Sequence, residues 1–381
     1  MKTIAFSGTL DPITNGHMWV IGEARAFADN VTVFLSENPN KTTQFSAEER
    51  KRIVELSAAE KDWDNVRVVV VKGDYTARVA KKNGIDYLIR GIRNTSDFDY
   101  ENLIQQTNVD VLQGAKTIFV MPPRDLGSVS SSFVRLLQGP VGWNWKMKQF
   151  VPRPAYHAWI LDWLRKEWKT LWEGRAADPA AHANIEHWFS YLTGAECYDG
   201  AKRHYHNLEH LVHGLTEIKV WASRSGAAQA DVNIVKQAFW FHDAIYGQGT
   251  RELSDEEASA RLWLGSNLDP DTAEQSADLI RATDHFHGAT IAHPLKQILL
   301  SADLAILGQD QDIYDSFATA IRREYQHVAE PAYKENRRKA LTHLSSKAKA
   351  GLLFGDAYFA EQYNDTALEN MEREIESLAA A

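Results

Sequence analysis

Up to about residue 137, five short runs rich in β-branched and apolar residues alternate with segments of helix length. The runs are KTIAF, VTVFLS, VRVVVV, DYLI and KTIFVM. This alternation is typical of βαβ units and predicts a parallel sheet with crossover helices. In such sheets ligands bind beyond the carboxyl ends of the strands. The residues that follow each run are therefore the first candidates for a site.

The pattern changes between Gln138 and Pro154, where QGPVGWNWKMKQFVPRP contains three prolines and two glycines that break regular structure. Beyond this stretch apolar residues recur at helical spacing, beginning with Ile160, Leu164, Trp168 and Leu171. We therefore predict two domains. Residues 1–155 form a Rossmann-like α/β domain with a parallel sheet, and residues 156–381 form an all-α domain. A chain of 381 residues is long enough for both cores.

Charge and cysteine content limit the classes of function. The net charge of −9 argues against a nucleic-acid partner, because phosphate neutralisation needs a basic surface. The single cysteine, Cys197, excludes an intramolecular disulfide framework and a thiolate-built zinc site. The sequence contains no apolar stretch of the roughly 20 residues that a membrane helix needs. Because MKTIAF leads directly into the first motif, it does not read as a cleavable signal. We expect a cytoplasmic protein that binds no membrane.

The first run is followed by GTLDPITNGHMW, which begins at Gly8 and opens a helix. Gly8 permits close approach of a ligand to the backbone, and Thr9 offers a hydroxyl. The step Asn15-Gly16 starts a helix whose free N–H groups favour an anion. His17, in the first turn, can stabilise the charge that develops when a nucleotide α-phosphate is attacked. A Gly-Thr turn before a helix is often only a turn, so further matches must support a phosphate site.

Further motifs follow in order: TLDPITNGH, Lys41 before QFSAEER, LIRGIRNTSDFDYE and VSSSFVR. In order and spacing they resemble those of phosphopantetheine adenylyltransferases, and the resemblance covers about the first 155 residues. This family belongs to the nucleotidyltransferase superfamily with the T/HxGH signature, here Thr14 to His17. The resemblance implies transfer of AMP from ATP, accompanied by Mg²⁺, to 4′-phosphopantetheine. The products would be dephospho-CoA and pyrophosphate.

Carried over by position, the resemblance assigns two groups of side chains. The acceptor phosphate would be bound by Thr9, Lys41 and Arg90. ATP would be held by His17, Arg93, Glu101 and the loop from Ser128 to Ser132. The predicted catalytic residues of this domain are His17, Lys41 and Arg93, and the other predicted substrate-binding residues include Gly8, Thr76, Gly91, Ser128, Ser130 and Ser131. Nucleotidyl transfer needs cations and donors placed around an in-line displacement more than it needs covalent help from the protein.

The chain departs from the family pattern around the acceptor. Asn108-Val109 stands where an Asn-Arg pair is usual, and Asp74-Tyr75-Thr76 stands where a pantetheine-contacting segment is expected. These changes concern the acceptor more than the chemistry. A transferase that uses a related phosphorylated acceptor is therefore the alternative.

A second constellation follows, since twelve of the fourteen histidines lie after residue 180. In HYHNLEH, His206 and His210 are one helical turn apart and project from the same face. In FWFHDAIYG, His242 and Asp243 lie in an apolar helical run, where an unpaired carboxylate is costly. Asp303, in LLSADLAILG, is another polar residue in an apolar helix. Imidazoles and carboxylates without thiolates suit Mn²⁺, Fe²⁺, Ni²⁺ or Mg²⁺.

The order His, His-Asp, Asp in an all-helical domain resembles the HD superfamily of metal-dependent phosphohydrolases, over about residues 158 to 381. The resemblance implies that His210, His242, Asp243 and Asp303 are metal ligands, with His285 a candidate for a second metal position. YHNLEH is also similar to a segment of cyclic nucleotide phosphodiesterases. By that likeness His206 is a candidate general acid.

The sequence therefore predicts a bifunctional enzyme, an adenylyltransferase joined to a phosphohydrolase that acts on a phosphorylated small molecule. The alternative for the helical domain is a sensor that binds a nucleotide without turning it over. The transferase family commonly assembles as hexamers, so by analogy we expect a homo-oligomer.

Overall fold

The computed structural model describes residues 1–37, 42–248, 253–284 and 291–380. The chain forms two compact units. The first comprises residues 1–139 and 143–159, and the second comprises residues 140–142 and 160–381. Among the described helices, none combines the length and the hydrophobicity needed to cross a membrane.

The first unit is built on a five-stranded sheet. Its strands are β1 (Thr3–Gly8), β2 (Asn30–Ser36), β3 (Val66–Val71), β4 (Tyr87–Gly91) and β5 (Lys116–Val120). In space they follow the order β3-β2-β1-β4-β5, and every neighbouring pair is parallel. The predicted parallel α/β sheet is confirmed, with one strand at each of the five β-rich runs.

Four helices connect the strands of this sheet, and two more follow β5. They are α1 (Asn15–Phe27), α2 (Ala47–Ala59), α3 (Thr76–Lys82), α4 (Thr95–Gln106), α5 (Ser131–Leu136) and α6 (Trp143–Lys148). A π-helical turn, Thr107–Val111, continues α4. Side chains of the sheet and of α3 share a buried core that includes Ala5, Phe34, Val71, Ala77, Ala80 and Leu88.

The register of the sheet places the ends of two central strands side by side. Phe6 of β1 is paired with Ile89 of β4, so Gly8 and Gly91, the last residues of these strands, finish at the same edge. The strand order also reverses between β1 and β4. In doubly wound sheets this reversal opens a crevice for ligands.

The second unit is helical in the residues that the structure describes. Its helices are α7 (Arg153–Trp172, which begins in the first unit), α8 (Pro179–Leu192), α9 (Leu208–Ser225), α10 (Gln229–Phe241), α11 (Asp255–Ser266), α12 (Ala273–Arg281), α13 (Lys296–Leu304), α14 (Gln311–Glu324), α15 (Glu330–Lys349) and α16 (Ala357–Ala380). A 3₁₀ turn, Ala305–Gly308, follows α13. The predicted helical character of the C-terminal part is confirmed.

Close packing of α9 against α10 places two histidines opposite each other. A Cβ atom on Gly214 of α9 would lie 1.9 Å from Cζ of Phe239 on α10, so no side chain fits there. Glycine at this point lets the two helices approach. His210 lies one turn before Gly214, and His242 directly follows α10. The approach therefore brings their imidazoles together.

Candidate active sites

A cavity of about 1080 Å³ opens where β1 and β4 end. The predicted substrate-binding residues that line it are Gly8, Thr9, His17, Thr76, Arg90, Gly91, Arg93, Glu101, Ser130 and Ser131. Ser128 is exposed and lies outside the lining. Lys41 lies outside the described residues. Residues from three of the four motifs, together with Thr76, thus meet around one cavity.

The orientation of His17 is set by the cap of α1. Thr14 is the N-cap residue, and its Oγ1 accepts a hydrogen bond from the His17 backbone N–H at 3.4 Å. In return the Thr14 backbone N–H donates to Nδ1 of His17 at 3.0 Å. A ring nitrogen that accepts from a backbone N–H carries no proton, so the neutral ring holds its proton on Nε2.

The charge state of His17 agrees with this tautomer. Burial, together with the positive charges of Arg90 and Arg93, lowers the pKa of His17 to about 4. The imidazole is therefore neutral near pH 7, and its Nε2–H is a hydrogen-bond donor beside two guanidinium groups.

Arg90 and Glu101 form an ion pair within the cavity wall. Arg90 Nε donates to Glu101 Oε2 at 2.9 Å, and Nη2 donates to Oε1. Arg90 Nη1 also donates to the backbone oxygen of Ser7 in β1. The resemblance divides these two residues between acceptor and ATP, whereas the structure joins them. Glu101, which is buried, holds the guanidinium at the end of β4.

Arg93 is oriented in a similar way by the first turn of α4. Its Nε donates to Asp97 Oδ2 at 2.7 Å, and its Nη2 donates to Oδ1 at 3.2 Å. The hydrogen bond from Arg93 lowers the pKa of Asp97. Asn94, the N-cap residue of α4, accepts from the Asp97 backbone N–H at 2.9 Å. Asp97 is thus a carboxylate that positions Arg93, and it is not among the residues predicted from the sequence.

The serine loop is fastened to the loop between β1 and α1. Ser130 is the N-cap residue of α5 and accepts from the Phe133 backbone N–H at 3.1 Å. Ser131 Oγ donates to the Pro12 backbone oxygen at 2.8 Å. Arg135 donates through Nη1 to the backbone oxygen of Asp11. The predicted ATP loop and the predicted phosphate loop are therefore one connected wall of the cavity.

The second unit brings the four predicted ligands His210, His242, Asp243 and Asp303 together. The two imidazoles face each other with 3.1 Å between their Nε2 atoms. Asp243 Oδ2 lies 3.1 Å from Nε2 of His242 and 3.7 Å from Nε2 of His210. Asp303 Oδ1 lies 3.5 Å and 3.4 Å from the same two nitrogens. His285 lies outside the described residues.

The protonation of this cluster favours a positive charge at its centre. His242 Nδ1 lies 2.8 Å from the backbone oxygen of Phe239, a contact that requires a proton on Nδ1 and leaves Nε2 to face the cluster. Burial lowers the pKa of His242, but Asp243 and Asp303 outweigh it and raise that pKa well above its usual value. The two carboxylates thus favour a positive charge beside the imidazole. A divalent metal ion bound by the two nitrogens and the two oxygens would supply such a charge, as a proton does. The donor set fits a borderline or hard divalent metal.

His206 is backed by a carboxylate that sequence reasoning missed. Its Nδ1 lies 2.7 Å from Oε2 of Glu324, at the end of α14, and its Nε2 lies 4.0 Å from Oδ2 of Asp243. Burial lowers the pKa of His206, but Asp243 and Glu324 together raise it above the usual value. Oε1 of Glu324 also accepts hydrogen bonds from the backbone N–H groups of residues 204, 205 and 206, with N to Oε1 distances of 2.8 to 2.9 Å.

Arg203 fixes the backbone of the same cluster. Its Nη1 donates to the backbone oxygens of His206, at 3.1 Å, and Asp243, at 2.6 Å. Its Nη2 donates to the backbone oxygen of Ala244 at 2.9 Å. The Arg203 guanidinium therefore links the backbone of His206, the candidate acid, to the backbone of Asp243, a candidate metal ligand. Arg203 stands directly before HYHNLEH in the sequence, but the sequence does not show its partners Asp243 and Ala244, about 40 residues away.

Comparison with known proteins locates relatives of the first unit. Residues 5–136 match the family model described as cytidylyltransferase-like, and this range includes the described residues that line the cavity. A phosphopantetheine adenylyltransferase of Chromobacterium violaceum is 36% identical over 156 residues, which are 41% of this chain and 94% of that protein. That of Neisseria meningitidis serogroup C is 34% identical over 155 residues, 41% of this chain and 90% of that protein. That of Pasteurella multocida is 35% identical over 158 residues, 42% of this chain and 96% of that protein.

Proposed function

Because the chain belongs, through its N-terminal region, to the phosphopantetheine adenylyltransferase family, we propose that its first unit transfers AMP from ATP to 4′-phosphopantetheine. The products are dephospho-CoA and pyrophosphate, and Mg²⁺ enters with ATP as part of the substrate. One observation carries the proposal for this chain: the neutral His17 and the guanidinium groups of Arg90 and Arg93 line a single cavity at the end of β1 and β4.

In the proposed reaction an oxygen of the acceptor phosphate attacks the α-phosphorus of ATP. A P–O bond forms there as the bond to the bridging oxygen breaks, and pyrophosphate leaves with the electron pair. The acceptor is already an anion, so no general base is required. Nε2–H of His17 donates to the oxygens on which charge develops, and Arg90 and Arg93 supply positive charge. Glu101 and Asp97 keep these guanidinium groups in place.

The test is pyrophosphate release from ATP and phosphopantetheine. We expect release by the wild type and a fall in kcat of about 10²- to 10³-fold for His17→Asn, the usual effect of removing one preorganised donor. His182→Asn, which changes an exposed histidine of the second unit, is the matched control and should keep the wild-type rate. Absence of release by the folded wild type would overturn the proposal for this acceptor. Release with another phosphate monoester and not with phosphopantetheine would support the alternative acceptor.

For the second unit we propose a metal-dependent phosphohydrolase of the HD type. Its ligands are His210, His242, Asp243 and Asp303. The observation that favours it is the convergence of His210, His242 and Asp303 on one point, with Asp243 Oδ2 within 3.7 Å of both imidazoles. The metal is Mn²⁺, Fe²⁺, Ni²⁺ or Mg²⁺, and the substrate is a phosphorylated small molecule. A divalent ion bound there supplies Lewis acidity toward a phosphate group.

For hydrolysis, the protein itself supplies a proton donor in a fixed position, the ring of His206. Glu324 accepts from Nδ1 of His206, and the raised pKa of His206 favours a proton on Nε2 as well. Nε2–H is the donor for the oxygen of the leaving group. Glu324 orients this ring and ties its backbone, while Arg203 holds the adjoining carbonyl groups.

Metal analysis and a screen of phosphate esters test this second proposal. We expect bound divalent metal and hydrolysis of at least one ester by the wild type, and loss of both for Asp303→Ala. Asp365→Ala, an exposed aspartate of α16, is the matched control. A metal-loaded wild type that hydrolyses none of the esters would favour the alternative, a sensor that binds a nucleotide without turning it over.

A further inference from the structure

The loop between β1 and α1 is tied to the segment before α2 by two buried side chains, Asp11 and Arg50. Their exposed fractions are 3% and 2%. Neither belongs to the predicted site residues, and neither contacts the other in a simple ion pair that would account for its burial. Burial of charged groups is costly unless they are hydrogen-bonded, so their partners indicate what they do.

Asp11 accepts the backbone N–H groups that lead into α2. Its Oδ2 accepts from Gln44 at 2.7 Å, and its Oδ1 accepts from Phe45 at 3.2 Å. Both carboxylate oxygens are therefore committed to two successive amides. By accepting from these two amides, the Asp11 carboxylate fixes the position of the 44–45 backbone relative to the loop after β1.

Arg50 makes the complementary contacts with backbone oxygens. Its Nε donates to the oxygen of Phe45 at 3.2 Å, and its Nη1 donates to the oxygen of Thr9. The guanidinium thus spans the same two segments from the other side. We call Asp11 and Arg50 together the bracket. The Asp11 carboxylate accepts hydrogen bonds from backbone N–H groups, and the Arg50 guanidinium donates hydrogen bonds to backbone carbonyl oxygens.

The bracket joins two parts of the cavity wall. Thr9 lines the cavity on one side of it, and Thr42 and Thr43, directly before the bracketed residues, line it on the other. We propose that Asp11 and Arg50 are positioning residues that set the separation of these two walls and thereby the affinity for the phosphate end of the acceptor. The proposal rests on the function proposed for the first unit.

The opposite side of the same loop is held by different residues. Ser131 donates to the oxygen of Pro12, and Arg135 donates to the oxygen of Asp11. These contacts connect the loop to the serine segment assigned to ATP. The bracket holds the loop through the Asp11 side chain, and the serine segment holds it through backbone oxygens. We therefore expect the bracket to affect the acceptor and the serine segment to affect the nucleotide.

The test compares KM values for the two substrates. Asp11→Asn replaces one acceptor oxygen with a donor, and Arg50→Lys keeps the charge but cannot span two carbonyl groups. For each we expect KM for phosphopantetheine to rise about tenfold while KM for ATP stays within about twofold, since small misplacements of binding groups cost affinity. Because both variants break one bracket, the double variant should cost less than the product of the single effects.

Arg52→Lys, an exposed arginine of the same helix, is the matched control and should leave both KM values unchanged. Equal rises in both KM values, or a lower melting temperature with unaltered KM values, would show that Asp11 and Arg50 serve folding alone and would overturn the proposal.

Calorimetric titration with phosphopantetheine in the absence of ATP separates this failure from that of the proposed function. If the wild type binds phosphopantetheine and the two variants bind it about tenfold more weakly, the bracket stands even without turnover. A wild type that neither binds nor converts phosphopantetheine overturns both proposals.

Discussion

The direction of one imidazole ring decides what His17 can do. Its Nδ1 is occupied by the Thr14 backbone N–H, so only Nε2 is available to a ligand. We expect the ring to remain the neutral, Nε2-protonated tautomer from pH 8 down to about pH 5, because its pKa is lowered to about 4. Nitrogen-15 NMR of histidine-labelled protein, with the His17 signal assigned through His17→Asn, measures both tautomer and pKa. A His17 pKa near 6.5 would contradict the assignment.

The same lowered pKa makes the stability of the first unit depend on pH. Between pH 6.5, where the unfolded ring takes up a proton, and about pH 4, where the folded ring does, the unfolded state binds more protons. The free energy of unfolding should therefore fall as the pH is lowered through this window. His17→Asn removes this titrating group, so the free energy of unfolding of the variant should fall less over the same pH range than that of the wild type. Urea denaturation at pH 7.5 and 4.5 compares the two slopes, and identical slopes would refute the expectation.

Glu324 is the residue on which the proposed acid His206 depends. In Glu324→Gln an amide keeps the volume of the side chain but has only one acceptor oxygen for the ring and the three backbone N–H groups. We expect turnover of any hydrolysed phosphate ester to fall about 10²-fold or more, the range of general acid catalysis. Metal content should not change, because Glu324 is not a ligand. Glu186→Gln, which breaks an ion pair between α7 and α8, is the control for loss of a carboxylate. Unaltered turnover of Glu324→Gln would remove the residue from the mechanism.

At the level of helices and strands, local patterns in the sequence were sufficient to predict the architecture. The run VRVVVV and its four counterparts each formed a strand, since β-branched residues flanked by turn signals fit a buried parallel sheet. The apolar setting of His242 and Asp243 likewise marked a polar cluster, because the cost of burying a carboxylate can be read from its neighbours in the chain.

Contacts between distant segments could not be predicted in this way. Glu324 is 118 residues from His206, and Arg50 is 41 residues from Thr9. Each lies in a helix whose sequence looks like that of any solvated or amphipathic face. Helical periodicity indicates which face of an element is buried, but it does not identify the element that faces it. Glu324 and Arg50 were missed for this reason, whereas Asp97 was missed although it lies within a recognised motif, four residues after Arg93.

The cap of α1 offers a test at the scale of one element. Thr14→Ala removes an N-cap oxygen and should destabilise the helix by about 1 kcal/mol. It should also lower the rate of pyrophosphate release, because the same cap orients His17. Ser46 caps α2 through an equivalent reciprocal pair with Glu49, so Ser46→Ala is the matched control. Urea denaturation should show similar losses of stability for both variants, with reduced transfer only for Thr14→Ala. A parallel loss of rate in Ser46→Ala would mean that helix stability, and not the orientation of His17, limits the reaction.

Over the whole molecule, exposed apolar residues in α4, in the turn that follows it and directly after β5 bear on assembly. β5 is an edge strand, and Met121, directly after it, is 79% exposed. Val111, at the end of the π-helical turn after α4, is 72% exposed, and Leu103 of α4 is 63% exposed. Exposed large apolar side chains such as these are typical of contacts between proteins when they cluster on a surface. We expect them to be buried in the homo-oligomer that the resemblance predicts.

Placing a charge in this region should therefore dissociate the assembly. Val111→Glu and Met121→Glu would each place a carboxylate in an apolar interface, which is costly without a partner. Analytical ultracentrifugation should show a smaller particle for these variants than for the wild type, with folding checked by circular dichroism. Leu56→Glu is the control, because Leu56 is an exposed leucine of α2, 47% accessible, far along the chain from this edge. Loss of assembly in Leu56→Glu alone would move the interface to α2, and a wild type that sediments as a monomer would rule out the oligomer.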